Sequence, residues 1–202
     1  AVAAIDEDTA NRALDLIDVE WELLEPLFDP ATSAARRDLV MHDWDPKMRE
    51  NGNISKAVAL AFGDVDAALA SADVLVENDF FFEGTTHAAI EPHCAVAQWD
   101  ARSPTDGGAG LLTIWSATQV PHYLHRELSR VLGLPETQIR VVQPTLGGAF
   151  GGKSEPFDLE FVVSFLAMKT GRPVKLLYTR EEVFYSHRGR HPMKMHFRLG
   201  AK

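Results

Sequence analysis

Cysteine is almost missing from this chain of 202 residues: Cys94 is the only one. A single thiol closes no internal disulfide and builds no cysteine-based zinc cage, which agrees with a reducing, cytoplasmic compartment. Its expected place is that of a small residue buried in a strand. Long apolar runs are missing as well; none approaches the roughly 20 residues that a membrane-crossing helix needs. Ala1 to Asp8 is too acidic and too poor in hydrophobic residues for a secretory signal. There are no heptads, internal repeats or low-complexity tracts, which excludes the coiled-coil, collagenous and disordered classes. What is present is an ordinary globular composition, 46% apolar and 24% charged with 14 Gly and 11 Pro, sufficient to bury a core.

The formal charge is −9, distributed unevenly. Residues 1–100 carry 21 Asp and Glu against 6 Lys and Arg, whereas residues 101–202 carry 8 against 14, or −15 and +6. The basic half could face an anionic ligand, but its arginines are scattered rather than clustered, so no nucleic-acid partner is expected.

Periodicity predicts a helix over Asp6–Ile17, with acidic residues in the first turn, then a strand over Val19–Leu23 from its alternation. From Glu25 to Asn53 the pattern fails; Pro26, Pro30, Pro46 and Gly52 read as punctuation in a long connection that marks a domain boundary. A short helical piece at Asp64–Ala70 precedes strands at Asp73–Phe82, His93–Asp100 and Leu111–Ala117, the last two joined as a hairpin through the turn-rich Ser103–Gly110. Then follow a helix (Pro121–Leu132), a strand (Gln138–Gln143), a glycine-rich loop, a helix (Glu155–Lys169) and a strand (Val174–Tyr178). The loop lies within a βαβ unit, and the fold class is α+β (mixed α/β).

The loop is Gly147-Gly148-Ala149-Phe150-Gly151-Gly152-Lys153-Ser154. Four glycines around one aromatic exceed what a tight turn requires. Such a loop can bring bare backbone N–H groups and a helix N-terminus up to an anion. Gly147 to Ser154 also satisfies G-x-x-x-x-G-K-S, in which Lys153 would meet nucleotide phosphates and Ser154 would hold magnesium. Against that reading, the following strand ends in Thr179-Arg180 rather than in a magnesium-binding Asp. His87, His93 and His122 lack tight ligand spacing, so no metal is expected on protein side chains. His122 and His125 lie three apart on one helix. Arg180, Arg188, Arg190 and Lys194 form a basic stretch, read first as a solvated face and second as a contact for ligand phosphates.

Thr118-Gln119-Val120-Pro121-His122, Leu132-Gly133-Leu134-Pro135, the loop at 147–152, Thr170-Gly171-Arg172-Pro173-Val174-Lys175, Thr179-Arg180-Glu181-Glu182 and Arg190-His191-Pro192 occur here in one order and spacing. That series resembles the large subunit of the molybdenum hydroxylases, the xanthine dehydrogenase and aldehyde oxidoreductase family. The likeness extends to Glu91-Pro92-His93. The resemblance implies that residues 1–29 end an α/β hammerhead domain, 30–56 connect, and 57–202 form the first part of the molybdopterin-binding domain. Within the family, residues 118–126, 152–157 and 180–192 look most like the α subunit of 4-hydroxybenzoyl-CoA reductase. Ser154 stands where many hydroxylases carry Glu, which favours that branch.

The resemblance further implies a molybdenum ion held by a pyranopterin cytosine dinucleotide, with Gln119, Gly147, Gly148, Ala149, Phe150, Gly151 and Gly152 around it. Backbone N–H groups of Gly148 to Gly151 would stabilise its anionic atoms, Phe150 would shield them, and Gln119 would hydrogen-bond an oxygen ligand of the metal. The implied partners are an FAD-binding subunit and an iron–sulfur subunit, and for the reductase an aromatic acyl-CoA substrate with ferredoxin as electron donor. The family's general base lies in a far C-terminal part that this sequence does not contain, so no catalytic residue is assigned. The chain is expected to be a fragment, inactive and weak in cofactor binding when isolated. The alternatives are a hydroxylase of the xanthine dehydrogenase or aldehyde oxidase type, a P-loop nucleotide-binding protein, and an assembly module.

Overall fold

Short helices begin the chain, and each has an aspartate as its N-cap: α1 (Glu7–Leu14) after Asp6, α2 (Pro30–Ala35) after Asp29, α3 (Pro46–Asn51) after Asp45 and α4 (Val65–Ala70) after Asp64. In each case the carboxylate accepts from a backbone N–H of the first turn, which would otherwise lack a partner. The remaining elements are β1 (Val74–Phe82), β2 (Cys94–Asp100), β3 (Leu111–Ser116), α5 (Pro121–Leu132), β4 (Ile139–Val142), α6 (Asp158–Thr170), β5 (Val174–Leu177), α7 (Arg180–Ser186) and β6 (Met193–Ala201). This computed structural model describes residues 1–101, 110–186 and 188–202. Two compact units divide the chain: residues 1–16 with 79–195, and residues 17–78 with 196–202. Among the described residues no helix is long and apolar enough to cross a membrane.

The first unit holds a four-stranded sheet of order β4-β3-β2-β5. β3 runs parallel to β4, and β2 runs antiparallel to both β3 and β5. Alternation decides which side chains are inside: Ala95 and Ala97 of β2, and Leu112, Ile114 and Ser116 of β3, are buried while the strand residues between them are not. α5 and α6 pack on this face, contributing Leu124 and Leu128 from one helix and Leu159, Val163 and Ala167 from the other. The two alanines of β2 leave room for α6 to lie close over the sheet. Both helices stop at a glycine in the left-handed conformation, Gly133 (φ 66°) and Gly171 (φ 63°). β1 and β6 pair as a separate two-stranded sheet.

The mixed α/β class expected from sequence is present. Some local expectations need correction or completion. Val19–Leu23 is not a strand: no ladder forms there, and Trp21 and Leu23 stand 77% and 92% exposed, so the alternation has no second strand to pair with. Within the stretch from Glu25 to Asn53, Pro30 and Pro46 open short helices rather than act as breakers. The β4–loop–α6–β5 passage does join two parallel strands, but they lie at opposite edges of the sheet; the adjacent parallel pair is β3–α5–β4. α7 and β6 were not expected. The hairpin turn expected at Ser103–Gly110 falls almost entirely outside the described residues, although β2 and β3 do pair across it, from Ala95↔Ser116 to Asp100↔Leu111.

Glu160 is the charged exception in the core. Its carboxylate accepts from the Phe157 N–H at 2.8 Å and from Ser116 Oγ at 2.8 Å, and the residue is 2% exposed. Burial pushes its pKa from 4.5 up to about 7, against the opposite pull of those hydrogen bonds. The folded protein therefore holds this proton more tightly than the unfolded chain does. The associated stability is complete below the unfolded value, declines as pH rises towards the folded value, and stays lost above it. Relative to wild type, Glu160→Gln should gain on the order of 3 kcal/mol of unfolding free energy between about pH 4 and about pH 8. Urea melts at both pH values measure this, and a difference independent of pH would show that the carboxyl ionises normally.

Candidate functional site

The glycine-rich loop joins β4 to α6 and is stapled from below. Gln119, directly after the buried Thr118 that follows β3, has its carbonyl Oε1 between two loop donors: the N–H groups of Gly151 and Lys153 both reach it at 3.2 Å. The Gln119 N–H in turn donates to Lys153 O at 2.8 Å. Because both loop groups are donors, the amide oxygen must face them, and the Nε2 hydrogens are left on the exposed side. Within the loop, the Gly152 N–H donates to Ala149 O at 2.8 Å, and His93 Nε2 lies 3.0 Å from Gly152 O.

These contacts determine which backbone groups remain available. The N–H of Gly147 is taken by Glu91 Oε2 at 3.0 Å, that of Gly151 by Gln119, and that of Gly152 by Ala149. No hydrogen bond among the described residues uses the N–H groups of Gly148, Ala149 and Phe150. The N–H groups without an acceptor are thus those of Gly148, Ala149 and Phe150, with Ala149 buried and Phe150 exposed, whereas that of Gly151, counted with them from sequence, is held by Gln119. Phe150 is 75% exposed, with φ 55° in the left-handed region. A bulky non-glycine residue rarely adopts that conformation, which costs roughly 1–3 kcal/mol and persists where the surroundings impose it.

Two sequence readings fail against this geometry. Lys153 is 1% exposed and its Nζ meets Glu91 Oε2 at 2.6 Å, so it points into the protein rather than towards a nucleotide. Ser154 Oγ donates to Gly151 O at 2.6 Å, within its own loop. α6 begins only at Asp158, and Glu160 caps its first turn, so the helix N-terminus is not presented to a ligand either. The P-loop alternative thereby loses its lysine, its serine and its helix.

Arg180 is not part of a solvated face. Its Nη2 donates to Ala89 O at 2.7 Å and Ile90 O at 2.8 Å, tying down the segment before β2. Of the other basic residues, Arg188 pairs with Glu155 at 2.8 Å and Arg190 lies over the Phe82 ring. His122 is exposed, whereas the His125 ring lies 3.0 Å from both Glu136 O and Ile139 O, joining α5 to the start of β4. Cys94 is half-buried in β2, and desolvation raises its thiol pKa above the usual value, which keeps it unreactive. Sequence reasoning did not find the Glu91–Lys153 pair, whose members stand 62 residues apart.

An arc of main-chain donors that lack acceptors among the described residues, beside a fixed carboxamide, is the kind of surface that a prosthetic group with acceptor atoms can use. The chain is a member of the molybdopterin cofactor-binding domain family, whose match covers residues 47–202, and through it of the xanthine dehydrogenase and aldehyde oxidoreductase group. It is 35% identical over 200 residues to the nicotinate dehydrogenase large molybdopterin subunit of Eubacterium barkeri, covering 99% of this chain and 44% of that protein. It is 34% identical over 201 residues to a probable xanthine dehydrogenase component of Bacillus subtilis (strain 168), covering 100% and 25%. Quinoline 2-oxidoreductase from Pseudomonas putida 86 superposes with a TM-score of 0.83 at 26% identity, over 98% of this chain and 24% of that one. CO dehydrogenase from Oligotropha carboxidovorans superposes with a TM-score of 0.81 at 28% identity, over 98% and 25%. The chain therefore spans less than half the length of each of these relatives.

Proposed function

We propose that this chain is the cofactor-gripping part of the large subunit of a molybdenum hydroxylase, acting on an aromatic N-heterocycle or an aldehyde. The observation that carries the reading is the unclaimed arc Gly148–Ala149–Phe150 beside the Gln119 amide. Three N–H groups without acceptors among the described residues, and the free hydrogens of an anchored carboxamide, suit oxo and dithiolene atoms, which only accept. Phe150 stands where its ring can keep water from such a group. When bound, the molybdenum cofactor supplies two-electron redox chemistry and oxygen transfer. Gly147, Gly151 and Gly152 spend their own N–H groups on holding the loop in shape, and Gln119 couples that shape to the donor it presents.

In this reading the cofactor is the pyranopterin cytosine dinucleotide, an FAD-binding subunit and an iron–sulfur subunit carry electrons away, and the assembly is cytoplasmic. Residues 1–29 close a hammerhead domain, 30–56 connect it, and 57–202 begin the cofactor domain. The named relatives favour a hydroxylase over the reductase branch, since nicotinate dehydrogenase and xanthine dehydrogenase are among them. The reductase keeps one argument, Ser154 in the place where many hydroxylases carry Glu.

Isotopic water separates the two. A hydroxylase converts R–H and water to R–OH, two protons and two electrons, so the complete enzyme in ¹⁸O water is expected to yield labelled product with an electron acceptor present. Loss of a phenolic hydroxyl from an aromatic thioester, with no label gained and with reduced ferredoxin consumed, would overturn the hydroxylase in favour of the reductase.

A further inference from the structure

Resting on the cofactor-gripping reading above, we infer that Glu91 is the positioning residue of the loop: one carboxylate oxygen fastens both of its ends and so fixes the arc between them. Glu91 Oε2 accepts the Gly147 N–H at 3.0 Å, where the loop begins, and Lys153 Nζ at 2.6 Å, where it ends. The Glu91 N–H returns a bond to Gly147 O at 3.3 Å. The approach is close enough that a Cβ on Gly147 would lie 2.6 Å from Glu91 Cβ, which explains the glycine there.

Glu91 is itself held. Arg180 grips the carbonyls of Ala89 and Ile90, the two residues before it. The His87 ring lies against Gly152, where an added Cβ would come within 3.0 Å of Nδ1, and Ala89 lies under Gly148, where one would meet Ala89 Cβ at 3.6 Å. The segment from His87 to His93 is thus a buttress along the loop, with the Glu91 carboxylate as the tie that reaches both of its ends. Desolvation pushes the Glu91 pKa up, but the Lys153 ammonium and the Gly147 N–H outweigh it and leave the group below its ordinary value. It stays ionised at neutral pH. Lys153 is enclosed, so removing the carboxylate alone strands a buried cation, whereas removing both charges does not.

The test uses the complete subunit in its assembly and compares Glu91→Gln, Lys153→Met and the double variant. Two quantities are read beside the melting temperature: the rate of molybdenum release to a chelator, and amide hydrogen exchange of the peptide spanning Gly147–Lys153. Each single variant is expected to release molybdenum about tenfold faster than wild type. The double variant should melt near the wild-type temperature yet release the metal about as fast as either single, because both changes cut the same tie. Exchange across the loop should rise by about tenfold in all three. A double variant with wild-type melting, release and exchange would reduce the pair to a fold-stabilising ion pair and overturn the inference. Wild-type protein that carries no molybdenum would instead overturn the proposed function, and loop exchange would still decide on Glu91.

Discussion

In the complete enzyme, Gln119→Glu is expected to lower turnover by roughly 10- to 100-fold while leaving the melting temperature unchanged. Gln119 has two separable duties. Its Oε1 accepts the N–H groups of Gly151 and Lys153, and a carboxylate accepts both equally well. Its Nε2 hydrogens are the ones proposed to face the cofactor, and a carboxylate has none and would add a negative charge towards that group's anionic atoms. Gln119→Ala ends both duties at once, so it should lose turnover and also loosen the loop, visible as faster amide exchange. Turnover of Gln119→Glu close to wild type would remove the amide from the reaction and leave Gln119 as a loop brace only.

Leu128→Ala is expected to cost roughly 2–5 kcal/mol of unfolding free energy. Leu128 is fully buried on the inner side of α5, in the cluster that includes Leu112, Ile114, Leu124 and Ile139. The cost depends on how far the helix can settle into the space left behind, and α5 has little freedom to do so. Pro121 starts it, the His125 ring ties it to Glu136 and Ile139, and Ser129 Oγ donates to Leu134 O at 2.6 Å beyond its end. A value near the upper end of the range follows. Val131 on the same helix is 51% exposed, and its truncation should change stability by less than about 0.5 kcal/mol. Urea midpoints at constant m-value compare the two, and equal losses would mean that α5 is not anchored as described.

The sheet and the helices packed on it were legible because their signals are local. Pro121 and Gly133 bracket α5, so the predicted bounds Pro121–Leu132 coincide with the helix, and alternation located β2 and β3 to within a residue. Other local signals are present but easily mistaken. Asp29-Pro30 and Asp45-Pro46 are each an N-cap followed by a first-turn proline, and a proline in a charged, irregular stretch looks the same as a breaker. Thr179 and Glu182 exchange bonds, Thr179 N–H to Glu182 Oε2 at 2.7 Å and Glu182 N–H to Thr179 Oγ1 at 3.1 Å, which is a capping box that announces α7. β6 alternates Met, Lys, Met, His, Phe and Arg, a pattern that suits a strand. The glycine loop and Gln119 were visible as motif. What holds them was not, since Glu91 and Arg180 reach their partners from 56 to 91 residues away in sequence, and only the folded sheet brings them together.

Under the proposed function, Phe150 in its left-handed backbone conformation sets stability and activity at odds at one position. Glycine there would relieve the φ of 55° at no steric cost and would remove the ring proposed to shield the cofactor. A β-branched residue would sharpen the conflict. Directed evolution of this protein by heat challenge alone would therefore converge on a sturdier chain with a wetter, poorer site, and a screen meant to improve the enzyme has to keep position 150 aromatic by design.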